Sequence, residues 1–180
     1  MKVVINLYKR HMATVDNYIT TAIKNAPKEY IEHADQILKK YTFFQLLYSV
    51  DEEYRQISPA ICRKQRENIN VGSDKSHYFT KLELDEDGFY ISNPYIHYRT
   101  GRASITVVRK MEGTYYVFDC DLITVLYDLL GKVKDRYPQG RGNDRFKNIM
   151  QKVCIPVPEG HDEFVSAIEK ECKRYRNQES

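Results

Sequence analysis

From Leu7 to Ala22 the apolar positions recur at helical spacing: Leu7, His11 or Met12, Val15, Tyr18 or Ile19, and Ala22. The pattern predicts one long amphipathic helix, interrupted by Pro27. A second helix is expected to carry Ile31, Ala34, Ile37 or Leu38, and Tyr41 on one face. The period then changes. Phe43-Phe44-Gln45-Leu46-Leu47-Tyr48-Ser49-Val50, closed by Asp51-Glu52, reads as a buried strand and a turn. Residues 59–77 are polar and irregular, and predict a loop or short helix over a sheet.

Downstream, Phe89 to Ile91 reads as a strand between Asp87-Gly88 and Asn93-Pro94. Ala103 to Lys110 alternates and is β-branched at Ile105, Thr106, Val107 and Val108. With the turn Glu112-Gly113 and a strand from Thr114 to Asp119, it predicts a hairpin. Leu122, Val125 or Leu126, Leu129 and Val133 start a helix capped by Asp121. Pro138-Gln139-Gly140-Arg141-Gly142 breaks the chain. A short helix around Phe146 to Met150 follows, and a last helix has Phe164, Ile168, Cys172 and Tyr175 on one stripe. The order predicts an α+β fold, an antiparallel sheet with helices packed against it.

Length and composition add limits. The 180 residues suit a single folded domain, with 42% hydrophobic and 29% charged residues. The net charge of +3 is too small to argue for nucleic acid by itself. No stretch reaches the length of a membrane span, and residues 1–11 lack the apolar core of a secretory signal. The expectation is a cytoplasmic protein if Met1 is the native start, and an extracytoplasmic sensor fragment otherwise. Cys62, Cys120, Cys154 and Cys172 form no Cys-x-x-Cys pair, so no zinc site is expected. Fifteen tyrosines and no tryptophan suit a polar pocket, since tyrosine buries a ring and keeps a hydroxyl.

Catalysis has little support. Gly140-Arg141-Gly142 lacks the spacing and lysine of a phosphate loop, there is no His-Glu-x-x-His pair, and no nucleophile motif appears. The expectation is a non-enzymatic protein without a cofactor.

The stretch Gly88-Phe89-Tyr90-Ile91-Ser92-Asn93-Pro94-Tyr95-Ile96-His97-Tyr98-Arg99-Thr100-Gly101-Arg102-Ala103-Ser104-Ile105-Thr106-Val107 resembles the signature of Cache domains, also called PDC sensor domains. In that family a strand ending in Pro-Tyr passes through a Thr-Gly turn into an Ile-Thr-Val strand. A later strand ends in a step similar to Asp119-Cys120-Asp121-Leu122. Ser73-Asp74-Lys75-Ser76-His77-Tyr78-Phe79 resembles the element before the family's pocket. The resemblance spans about residues 5–130. It implies a PAS-like single Cache domain over residues 1–134, with a helical extension over 135–180. It further implies a small-molecule sensor with one pocket on the sheet, dimeric through the N-terminal helix.

In relatives that bind amino acids, a Pro-Tyr-x-Asp step and a later Asp hold the ligand ammonium. Aromatics and an Arg hold its carboxylate. By resemblance Tyr95 takes the place of the tyrosine, Asp119 of the later acid and Tyr78 of the aromatic. His97 stands where the first acid would be, and Lys75 lies near the expected arginine. Histidine in place of an acid disfavours a cation, which turns the expectation toward a carboxylate or amino-acid-like ligand. The implied ligand-binding residues are Lys75, Tyr78, Tyr90, Tyr95, His97 and Asp119.

Plainer readings stand beside these. Tyr95 could be a core ring, His97 an exposed turn residue, Asp119 a helix cap and Lys75 a solvated charge. The fold could also be a filled-pocket interaction module. The basic extension (Arg136, Arg141, Arg145, Lys147, Lys152, Lys170, Lys173, Arg174, Arg176) could meet nucleic acid or an acidic protein partner, although Glu163, Glu169 and Glu171 balance it as a solvated face.

Overall fold

The structure is a computed structural model that describes residues 2–63, 65–97, 100–126 and 128–129. The extension predicted over 135–180, and the domain boundary at 134, lie outside the described residues. The chain gathers into two compact units. One holds the N-terminal helices to Ile23, the segment Ile96–Ala103 and the chain from Leu122. The other holds Lys24–Tyr95 and Ser104–Asp121.

In the first unit, the single helix expected at the N-terminus is two: α1 (Lys2–Arg10) and α2 (Met12–Asn25). Neither Pro nor Gly breaks them. The amide of the buried His11 is shared between the Leu7 carbonyl (i→i−4) and the Tyr8 carbonyl (i→i−3), 3.1 Å from each, a three-centre bond that tightens the turn where the two helices meet. Val4, Leu7 and Tyr8 of α1 are buried, as are Val15, Ile19, Ala22 and Ile23 of α2. The Tyr8 hydroxyl donates to Asp16 Oδ1 at 2.6 Å, bridging the break, and Tyr18 donates to Asp128 Oδ2 at 2.5 Å.

Burial raises the Asp16 pKa to about 6, against the pull of the Tyr8 hydrogen bond. The unfolded chain ionises this acid near 3.8, before the folded one does. Folding stability is therefore undiminished below that pH, falls as pH rises, and reaches its full loss above about 6. Asp16→Asn removes the charge and keeps an acceptor for Tyr8. This variant is expected to be more stable than wild type by about 1–2 kcal/mol at pH 8, after allowance for solvent screening, and equal to it at pH 3.5. Urea titrations at both pH values check this. An advantage at pH 3.5 as large as at pH 8 would rule out the buried charge as its cause.

The second unit is built on a sheet. After α3 (Ala34–Lys40) come β1 (Phe44–Val50), β2 (Ala60–Cys62), β3 (Gln65–Glu67), α4 (Ser76–Phe79), β4 (Phe89–Ile91), β5 (Tyr95–Ile96), β6 (Ala103–Met111) and β7 (Thr114–Asp121). The strand order is β3-β2-β1-β7-β6-β4, with β5 also paired to β6, and the β1–β7, β6–β7 and β4–β6 ladders are antiparallel. This is the expected α+β arrangement of helices and an antiparallel sheet.

Two local expectations need correction. The loop or short helix predicted over 59–77 contains the β2–β3 hairpin as well as α4. Ile61 is fully buried and pairs with Leu47 of β1, which adds strands to the sheet where three-residue runs leave no readable period. The second helix starts at Ala34, and Tyr30 lies in the preceding turns. There its ring meets Tyr116 and Phe118 edge-on at 4.9 and 5.3 Å.

Register divides the sheet into two faces, since directly paired residues point the same way. One face carries Leu47, Tyr116, Phe118, Cys120, Ile105, Val107, Arg109 and Phe89. Tyr30 packs on it, and Arg109 donates to the Tyr30 hydroxyl at 2.5 Å. The other face carries Tyr48 and Val50 of β1, Tyr115, Val117 and Asp119 of β7, Thr106 and Val108 of β6, and Tyr90 of β4. At one end of this second face Val50, Val108, Tyr115 and Val117 pack with Phe79, Tyr54, Leu82 and Leu84 into a closed apolar cluster. The other end is polar.

Candidate ligand-binding site

The polar end is assembled by three neighbouring strands. Thr106 and Asp119 are direct partners in the β6–β7 ladder, so their side chains leave the sheet side by side. The Thr106 hydroxyl donates to Asp119 Oδ1 at 2.8 Å. The Tyr95 hydroxyl lies 2.9 Å from Thr106 Oγ1 and 3.4 Å from Asp119 Oδ1. Ser92 anchors this arrangement: its amide donates to the Thr106 carbonyl, and its hydroxyl accepts the Thr106 amide, both at 2.9 Å. Tyr48 joins the group from β1. Burial, followed by the Asp119 carboxylate, raises the Tyr48 and Tyr95 pKa values well above the ordinary phenol range. Both phenols therefore stay neutral at any ordinary pH.

The structure places the Tyr95 hydroxyl 3.4 Å from the Asp119 carboxylate. Tyr90 shares their face, next to Val108, and packs against the apolar cluster. Tyr78 is 63% exposed on α4, with its ring 3.8 Å from that of His77, and it lies within electrostatic reach of Tyr48. The backbone of Lys75 builds the α4 turn: its amide donates to the Tyr54 carbonyl at 2.7 Å, and its carbonyl accepts the Tyr78 and Phe79 amides. His97 belongs to the other compact unit. There its amide donates to the Arg102 carbonyl at 2.9 Å, and its carbonyl accepts from the Gly101 amide at 2.8 Å.

Thr106 and Tyr48 are absent from the sequence-derived set. Thr106 was accessible to it: counting outward from the two-residue turn at Glu112-Gly113 sets Thr106 opposite Asp119. Tyr48 depends on the β1–β7 pairing, which joins distant parts of the chain and leaves no local signal.

Among the described residues, no group of three His, Cys, Asp or Glu side chains is placed to hold a metal ion, and no helix is long and apolar enough to cross a membrane.

No protein-family model matches the chain, and no curated protein matches it. Similar solved structures include the Bacillus subtilis YkuI protein, with an EAL domain, in complex with its substrate c-di-GMP and calcium. That likeness has 16% identity and a TM-score of 0.39, and covers 64% of this chain and 31% of the other. The ligand-binding domain of the Campylobacter jejuni chemoreceptor Tlp3, in complex with 4-methylisoleucine, is similar at 16% identity and a TM-score of 0.37, over 79% of this chain and 63% of that one. The sensory domain of the same chemoreceptor with isoleucine bound is similar at 14% identity and a TM-score of 0.36, over 69% and 62%. The chain thus spans about a third of the first structure and less than two thirds of the other two.

Proposed function

We propose that this chain is a non-catalytic, Cache-like sensor domain that binds a small polar metabolite, amino-acid-like or carboxylate-bearing, on the second face of its sheet. The observation that carries this reading is the Tyr95–Thr106–Asp119 cluster at the polar end of a face whose other end is packed shut. Asp119 is half-buried among hydroxyl groups and neutral phenols, where it gives up part of its hydration, a cost that a bound polar ligand would offset. Tyr48 and Tyr90 would flank the ligand, and Tyr78, exposed on α4, would close over it. Lys75 remains part of the proposed set through the resemblance alone. Dimerisation through the N-terminal helices belongs to the same reading, and Met12 is exposed on α2.

A thermal-shift screen against amino acids, small carboxylates, amines and purines tests it. A ligand at about 100 times its dissociation constant adds about 2.7 kcal/mol, which raises the midpoint by roughly 5–10 °C in a protein of this size. The expected result is a shift of this kind that disappears in Tyr95→Ala. A Tyr95→Ala protein that binds the same compound as tightly as wild type would remove the site assignment. No shift with any compound would favour an interaction module whose sheet face is filled.

A further inference from the structure

We infer that the first face of the sheet carries a separate site, in which Arg109 and the Tyr116 hydroxyl bind the carboxylate of a small molecule. It lies on the opposite side of the sheet from the Tyr95 cluster and does not depend on the sensor reading.

The observation behind it is a cation without a counter-ion. Arg109 is half-buried on β6. Its Nη1 donates to the Tyr30 hydroxyl at 2.5 Å, and its guanidinium carbon lies 5.0 Å from the centre of the Phe89 ring. Both partners are neutral. Among the described residues no carboxylate lies within ion-pair distance of Arg109, and its buried Nε–H has no hydrogen-bond partner. Holding a guanidinium against neutral groups alone forfeits hydration, a cost that an oxyanion would offset. Asp87 senses the Arg109 charge but is engaged elsewhere. Its Oδ2 lies 2.6 Å from Lys24 Nζ, and the Lys24 hydrogen bond and charge, with a smaller contribution from Arg109, hold its carboxyl below the usual range.

Tyr116 supplies the second donor. It is the direct partner of Arg109 in the β6–β7 ladder, so the two side chains leave the same face side by side. Its ring meets Tyr30 edge-on at 4.9 Å, and its hydroxyl makes no hydrogen bond among the described residues. Together the guanidinium and this phenol offer donors to the two oxygens of one carboxylate. Lys24, with Nζ 5.7 Å from the centre of the Phe89 ring, adds a second positive charge nearby, and Asp87 adds a negative one. The surroundings therefore carry one net positive charge, which suits a monoanion, whereas a dianion is repelled twice as strongly by the Asp87 carboxylate.

The test uses the full chain labelled with nitrogen-15 in arginine, at pH 6.5 and constant ionic strength, with sodium acetate and sodium sulfate as probes. The Arg109 Nε–H resonance is followed by NMR and assigned by its loss in Arg109→Gln. Acetate is expected to move it saturably, with a dissociation constant of about 1–10 mM. Tyr116→Phe keeps the ring beside Tyr30 and loses the donor, and is expected to weaken acetate about tenfold. Asp87→Asn removes the neighbouring negative charge. It is expected to tighten acetate by about threefold and sulfate by about ninefold, since twice the charge doubles the interaction energy. A merely structural Arg109, tying down Tyr30 and covering Phe89, would show none of these responses. Absence of a saturable movement with acetate overturns the inference. So does an acetate affinity unchanged in Tyr116→Phe, or an equal gain for acetate and sulfate in Asp87→Asn.

Discussion

Phe118→Ala is expected to lower the free energy of unfolding by about 3–5 kcal/mol. Phe118 is fully buried in the middle of β7, the central strand of the longest ladders. Its direct partners across the sheet are Leu47 of β1 and Val107 of β6, both also fully buried. Above it, the Phe44 and Tyr30 rings lie 5.1 and 5.3 Å away. Truncation removes a large apolar surface and leaves a cavity that cannot easily collapse. Its floor is hydrogen-bonded sheet, and its roof is held by Tyr30, whose hydroxyl is fixed by Arg109. Phe118→Leu, which keeps most of the volume, should cost less than about 1.5 kcal/mol. A domain of this kind holds about 5–15 kcal/mol in total, so the alanine variant approaches the margin of folding, with a midpoint lower by roughly 10 °C. Urea unfolding followed by circular dichroism measures both variants. A loss below about 1 kcal/mol in Phe118→Ala would mean that this face is not packed as described.

The parts of this architecture that the sequence made legible are those with a local signal. The β6–β7 hairpin is one: β-branched alternation flanks Glu112-Gly113, and both turn residues adopt positive φ, 48° and 78°, as a twist-matched two-residue turn demands. β1 and β4 were likewise bounded by polar turn residues. What stayed hidden has a non-local cause. β2 and β3 are three residues each, and β2 is a strand because Ile61 finds Leu47, with nothing in Ala60–Cys62 to announce it. The break at His11 comes from a shared amide in a helical pattern that reads as continuous. In the site, Tyr95 and Asp119 were named through resemblance, and their proximity is the structure's contribution. Thr106 followed from hairpin register and was overlooked because an alternating threonine reads as an ordinary strand residue. Tyr48 needed long-range pairing of β1 with β7.

The same register gives a prediction at the edge of the site. Gly88→Ala is expected to destabilise the protein by about 2–4 kcal/mol, against about 1 kcal/mol for Gly72→Ala. Both glycines have positive φ, 79° and 84°, so alanine at either carries a similar backbone strain. They differ in what a methyl group would meet. At Gly72 there is open space. At Gly88 the Cβ would lie 2.8 Å from the Lys110 carbonyl oxygen, which is backbone of β6 and cannot swing aside. The close approach is what lets the Gly88 carbonyl accept the Lys110 amide at 2.8 Å and start the β4–β6 ladder. Asp85 reinforces the turn, its side chain accepting the Asp87 and Phe89 amides at 2.9 and 2.8 Å. Pushing β4 away from β6 should therefore loosen Tyr90 from Val108 and from the apolar cluster it packs against. Urea unfolding of the two variants gives the energetic comparison, and amide hydrogen exchange at Tyr90 and Lys110 gives the local one. Protection there is expected to fall in Gly88→Ala and to survive in Gly72→Ala. Equal losses of stability in the two variants would show that backbone conformation alone, and not the approach of β4 to Lys110, is what Gly88 provides.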